Sequence, residues 1–124
     1  MPPVYQYRPE VTCAMGVSDL AASLAWFRDV LGFEKVFESV ENGWAEVATA
    51  TPGVTVGMSQ VEEPKVEGGA TLVFAVTDIE AAKSELEAKG VRFDGGIMEI
   101  PGMVKLATFF DRDGHKFMFS QSLM

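Results

Sequence analysis

The tetrapeptide Val17-Ser18-Asp19-Leu20 returns as Val76-Thr77-Asp78-Ile79, 59 residues later in a chain of 124. Self-similarity at a period near half the chain length is the mark of a duplicated supersecondary unit, and it limits the fold more than any single motif does. Each copy closes a β-compatible run and opens a stretch with helical periodicity. In the first half Val11 to Val17 reads as a strand, after which Leu20, Leu24, Phe27, Val30 and Leu31 recur at helical spacing. Ser18 or Asp19 is placed to cap that helix, and Gly32 stands where a left-handed closing residue is wanted. Phe33 to Val40, Gly43 to Ala50 and Val54 to Val61 read as three further strands, the last two separated by Thr51-Pro52-Gly53.

The second half repeats the order. Thr71 to Val76 is a strand, Thr77-Asp78 a cap, and Ile79, Ala82, Leu86 and Ala88 mark a helix closed by Gly90. Val91 to Phe93, Val104 to Phe110 and Lys116 to Ser120 supply strands, the last two joined through Asp111-Arg112-Asp113-Gly114. Gly95 to Met103, with glycines at both ends and apolar residues between, reads as a loop able to act as a lid. The expected fold is therefore α+β, two tandem βαβββ modules. Residues 1–9, with three prolines, form an extended arm; 10–124 form one domain, with module one at about 10–62, a linker at 62–69 and module two at about 70–122.

Eighteen Asp and Glu against ten Lys and Arg leave a net charge of −8, with the basic residues scattered singly. Nucleic acid and anionic membranes are held through clustered Lys and Arg, so neither is an expected partner. No run approaches the ~18 apolar residues of a membrane span, and the first residues lack the pattern of a secretory leader. The lone Cys13 closes no internal disulfide, so the expected compartment is the cytoplasm.

The stretch from Val17 to Glu34 (Val-Ser-Asp-Leu-Ala-Ala-Ser-Leu-Ala-Trp-Phe-Arg-Asp-Val-Leu-Gly-Phe-Glu) and the stretch from Phe110 to Phe117 (Phe-Asp-Arg-Asp-Gly-His-Lys-Phe) resemble the vicinal oxygen chelate superfamily. That group comprises glyoxalase I, extradiol dioxygenases, fosfomycin-resistance enzymes and bleomycin-resistance binding proteins. The resemblance implies paired modules whose sheets curl around a central cleft with the helices outside, and a homodimer. In metal-using members a ligand, commonly His, precedes each helix-opening Asp by seven residues, which here falls on Thr12 and Thr71. The ligand in the fourth strand, usually Glu, falls on Gly57. The ligand following the last hairpin, again usually Glu, falls on Met118. Two hydroxyls, a bare backbone and a thioether are not the donors a divalent ion requires, so no metal and no other cofactor is expected. His115 is the sole histidine and falls in a hairpin turn, where a surface position is expected.

Taking the former ligand positions as inward, period-two alternation assigns faces. Thr12, Ala14, Gly16, Thr55, Gly57, Ser59, Thr71, Val73, Ala75, Lys116, Met118 and Ser120 would line the cleft, small and mildly polar. Cys13, Met15, Val56, Met58, Phe74, Phe117 and Phe119 would face the helices. Trp44 and Glu46 share a strand, with Glu46 either in the pocket, as a general base or a cation-binding group, or toward solvent. Met98, Met103 and Met118, with Phe109 or Phe110, add adaptable apolar surface.

Two functional classes, with a third beside them, remain open. The first is a metal-independent binding protein that sequesters a small apolar or aromatic ligand. The second is a lyase, isomerase or dioxygenase relative, using Glu46 or a divalent metal at some other set of residues. A subunit acting through partner proteins would instead carry a large apolar outer patch.

Overall fold

The computed structural model describes residues 6–124, so the expected leading arm lies partly outside the described residues. The chain divides at Pro64 and Lys65 into two compact units, each an α/β layer pair with one four-stranded mixed sheet.

In the first unit, β1 (Val11–Val17) leads into α1 (Leu20–Leu31), followed by β2 (Glu34–Ser39), β3 (Trp44–Ala48) and β4 (Val54–Gln60). The sheet order is β1-β4-β3-β2, with β1 and β4 parallel and the other pairs antiparallel. Asp19 opens α1 because its extended backbone lets the side chain accept the Ala22 amide at 3.1 Å. Gly32, at φ 75°, closes the helix and returns its amide to the Arg28 carbonyl, a conformation that a Cβ would strain. The buried face of α1 packs on β2, β3 and β4. Phe27 is wholly enclosed with Val17, Val47, Val56 and Met58, and its ring stacks on Phe33 at 6.4 Å between centroids. Each such aromatic contributes ~1.5–3 kcal/mol by leaving water.

The second unit repeats the plan with β5 (Leu72–Ala75), α2 (Ile79–Ala88), β6 (Met98–Ile100), β7 (Val104–Phe110) and β8 (Lys116–Ser122), in the order β5-β8-β7-β6. Asp78 caps α2 through the Ala81 amide, again at 3.1 Å. Its core is aromatic: Phe109 lies 4.7 Å from Phe119 and 5.8 Å from Phe117, under Ile79 and Leu86 of α2.

Two expectations change. Gly95 to Met103 is not a free loop, because Met98, Glu99 and Ile100 pair antiparallel with Leu106, Lys105 and Val104 as an edge strand. The strand expected at Val91 to Phe93 reduces to one bridge between Phe93 and Phe109. The bridge is flanked by two backbone hydrogen bonds, from the Phe110 amide to the Arg92 carbonyl and from the Asp94 amide to the Thr108 carbonyl.

Candidate functional site

Strand pairing sorts the first sheet's exposed side into three rows, reading from β2 across β3 and β4 to β1. Glu34, Ala48, Thr55 and Thr12 form one; Phe37, Glu46, Gly57 and Ala14 the next; Ser39, Trp44, Ser59 and Gly16 the third. The opposite side holds Cys13, Met15, Val17, Ala45, Val47, Val56 and Met58, the set against which α1 packs. Burial pushes the Cys13 thiol up from its ordinary value, so no reactive thiolate is offered there.

The middle of this open face is built around Gly57. A Cβ at that position would fall inside the benzene edge of the Trp44 indole and within 3.1 Å of the Thr12 methyl. Glycine is required there by a close approach: the indole reaches diagonally from its own row and occupies the place of the missing side chain. The indole Nε1 donates to Glu46 Oε2 at 3.1 Å, and Thr55 Oγ1 donates to Glu46 Oε1 at 3.3 Å. Thr55 Oγ1 and Thr12 Oγ1 lie 2.8 Å apart, extending the chain of polar contacts across three strands. Glu46 is half-buried and fixed through both carboxylate oxygens, which holds it as an anchor rather than a mobile surface group.

Of the residues singled out in the sequence, Thr12, Ala14, Trp44, Glu46, Thr55, Gly57 and Ser59 thus share one face of the first unit. In the second unit, Val73 pairs directly with Met118, and Thr71 lies exposed just before β5. Met103 lies exposed in the turn between β6 and β7. Phe109 does not join an open face. It pairs with Phe117 and is fully buried on the α2 side, while Thr108 and Phe110 point the other way. The aromatic core needs Phe109 more than a ligand would, since one-residue alternation leaves a single ring of the Phe109-Phe110 pair for the interior.

His115 is not a surface residue of its turn. It is buried, and its Nδ1 lies 2.8 Å from Asp111 Oδ2, while Asp111 Oδ1 accepts the amides of Asp113 and His115. The pair fastens the β7–β8 hairpin. Phe37 was not singled out in the sequence, although pairing sets it directly beside Glu46. A register shift between Lys35 and Phe37 breaks the alternation that would have shown it.

The positions matching the metal-using pattern do not fit a divalent ion. Thr12 Oγ1 is engaged with Thr55, Gly57 offers no side chain and lies under an indole, and Thr71 and Met118 bring a hydroxyl and a thioether. Among the described residues no three His, Cys, Asp or Glu side chains gather at one point.

The glyoxalase/bleomycin resistance protein/dioxygenase superfamily model matches residues 11–119. The chain belongs to that superfamily. This member is similar in fold to solved structures that share little of its sequence. A superfamily protein from Sphaerobacter thermophilus is 24% identical, with 97% of this chain and 100% of that one covered and a TM-score of 0.79. A genomically encoded fosfomycin resistance protein from Listeria monocytogenes is 14% identical over 94% and 95% of the two chains, with a TM-score of 0.80. An antibiotic binding protein from a Streptomyces species is 19% identical over 98% and 99%, with a TM-score of 0.74. No curated protein matches the sequence significantly. No helix among the described residues of this superfamily member is long and apolar enough to cross a membrane.

Proposed function

We propose that this superfamily member is a metal-independent small-molecule binding protein that sequesters its ligand, and that the open face of the first sheet receives it. One observation carries the reading: the Trp44 indole lies over Gly57 with its nitrogen tied to Glu46, which makes a fixed aromatic platform on a floor of small and hydroxyl-bearing residues. A platform whose ring is already oriented loses little freedom when an apolar or aromatic molecule stacks on it. Two further findings support it. The donor set at the metal-pattern positions suits no divalent ion, and similar folds include a protein named for binding an antibiotic and one named for fosfomycin resistance. The protein acts as a homodimer in this reading, as the superfamily resemblance implies.

Native mass spectrometry of protein purified without added metal or chelator reads subunit count, bound metal and bound ligand in one spectrum. The expected species is a dimer free of divalent metal, with an organic adduct that is lost on denaturation. One divalent ion per chain would overturn the reading and favour a metal-dependent lyase, isomerase or dioxygenase. Turnover of a bound molecule that Glu46→Gln abolishes would equally replace sequestration with catalysis.

A further inference from the structure

Resting on that binding reading, we infer that the ligand carries a positively charged amine, and that the amine sits on Glu46 between the rings of Phe37 and Trp44. Glu46 is the one ionisable group of the middle row, with Phe37 directly opposite on β2 and Gly57, under the indole, directly opposite on β4. Opposed residues in an antiparallel pair hold their Cβ atoms roughly 4.5–5.5 Å apart, so Phe37 on one neighbouring strand and the indole over Gly57 on the other flank Glu46. Phe37 is 53% exposed, so its ring is open to a ligand.

Among the described residues, the charge on Glu46 is left without a cation. Both its hydrogen bonds come from neutral donors, and among the described residues no Lys, Arg or His forms an ion pair with it. The three rows hold a second carboxylate, Glu34, and no basic side chain at all. Aromatic faces carry negative potential and attract ammonium groups; the indole meets Glu46 through its N–H edge, so the carboxylate supplies the main attraction and the exposed phenyl ring of Phe37 adds to it. An anion meets repulsion on this face, and a neutral apolar molecule gains only the ring contact. The expected order is cation, then neutral, then anion.

Three probes that share one body separate these cases: 4-phenylbutylamine, 4-phenylbutanol and 4-phenylbutyrate, titrated by calorimetry or ligand-observed NMR at neutral pH. The amine is expected to bind on the order of tenfold more tightly than the alcohol, and the butyrate most weakly. Glu46→Gln should bring amine and alcohol within about twofold of each other. Phe37→Leu, at an exposed site where folding is not at risk, should reduce the preference about threefold. Glu67→Gln removes one negative charge far along the sequence and should leave the preference intact. Equal binding of amine and alcohol would overturn the amine inference while leaving the binding reading in place. An equal loss of preference in Glu67→Gln would overturn it too, by assigning the effect to overall charge. Binding of none of the three, with no adduct in native mass spectra, would overturn both.

Discussion

The indole of Trp44 stands in for a side chain at position 57: its benzene edge fills the volume into which a Cβ on Gly57 would project. The two residues are on adjacent strands and one row apart, so the ring is wedged rather than merely resting. Gly57→Ala is therefore expected to expel the indole, at a cost of about 1–3 kcal/mol from overpacking. Urea unfolding gives the cost, and loss of the near-ultraviolet circular dichroism of an ordered Trp shows its origin. Ligand affinity should fall with it.

A different vulnerability lies at Asp111. Its carboxylate, 1% exposed, serves the Asp113 amide at 3.0 Å, the His115 amide at 2.8 Å and the His115 ring at 2.8 Å. Asp111→Ala strands two buried groups of His115 and the part-buried Asp113 amide, and should destabilise the chain by ~2–4 kcal/mol. Binding by the first sheet should survive at temperatures where the variant is folded, because Asp111 belongs to the other unit. Thermal unfolding together with a ligand titration separates the two effects.

Helix starts are matched between the units. Asp19 and Asp78 accept equivalent amides at 3.1 Å, with backbone angles within a few degrees of each other. Replacing either by Ala is expected to cost about 1 kcal/mol, and the two costs should agree to within experimental error. Chemical denaturation of both single variants checks this; a large difference would mean that the helices rely on their caps unequally.

The Glu80–Lys105 contact, 2.6 Å long, ties α2 to the edge half of its sheet. Its hydrogen bond holds the Glu80 carboxyl below the usual 4.5 and raises the Lys105 ammonium above its usual value. With a folded value depressed, the Glu80 contribution is complete above 4.5 and fades as pH falls through the lowered value. The Lys105 contribution is complete at neutral pH and fades only as pH rises through the raised value. Glu80→Gln should therefore lower the neutral plateau slightly and flatten the loss of stability between pH about 6 and about 3, with variant and parent converging at the acid end. Urea midpoints measured across that window, at low and high salt, would show it.

Much of the architecture was legible because punctuation and periodicity agree in this chain. Asp19 and Gly32 bracket an apolar stripe, and the recurrence at Asp78 supplied the second unit, whose β7 and β8 are joined by a turn rich in Asp and Gly. Phe109 was ambiguous because two adjacent rings carry no alternation, and the choice depends on a neighbour, Phe117, in another strand. β6 was hidden for the opposite reason: three residues between glycines show no period, and only pairing with β7 makes them a strand. The link between Trp44 and Glu46 was visible as spacing, whereas Phe37 came to the same place through a bulge that spacing does not announce. His115 was misplaced because the turn sequence says nothing of how deeply Asp111 is buried beneath it.

One bond recurs in both units and has a meaning for assembly of the chain. Gln60, at the end of β4, accepts the Leu20 amide at 2.7 Å, and its own amide group donates to the Ser18 carbonyl. In the second unit Gln121 accepts the Ile79 amide, also at 2.7 Å. Each glutamine comes from a strand remote in sequence, yet it meets the first turn of a helix that follows that strand's parallel neighbour. A one-residue slip of either parallel pair would turn the glutamine to the opposite side of the sheet and leave the helix's leading amide bare. Each unit thus proofreads its own long-range alignment: the helix is completed only when the two strands have found the correct neighbours.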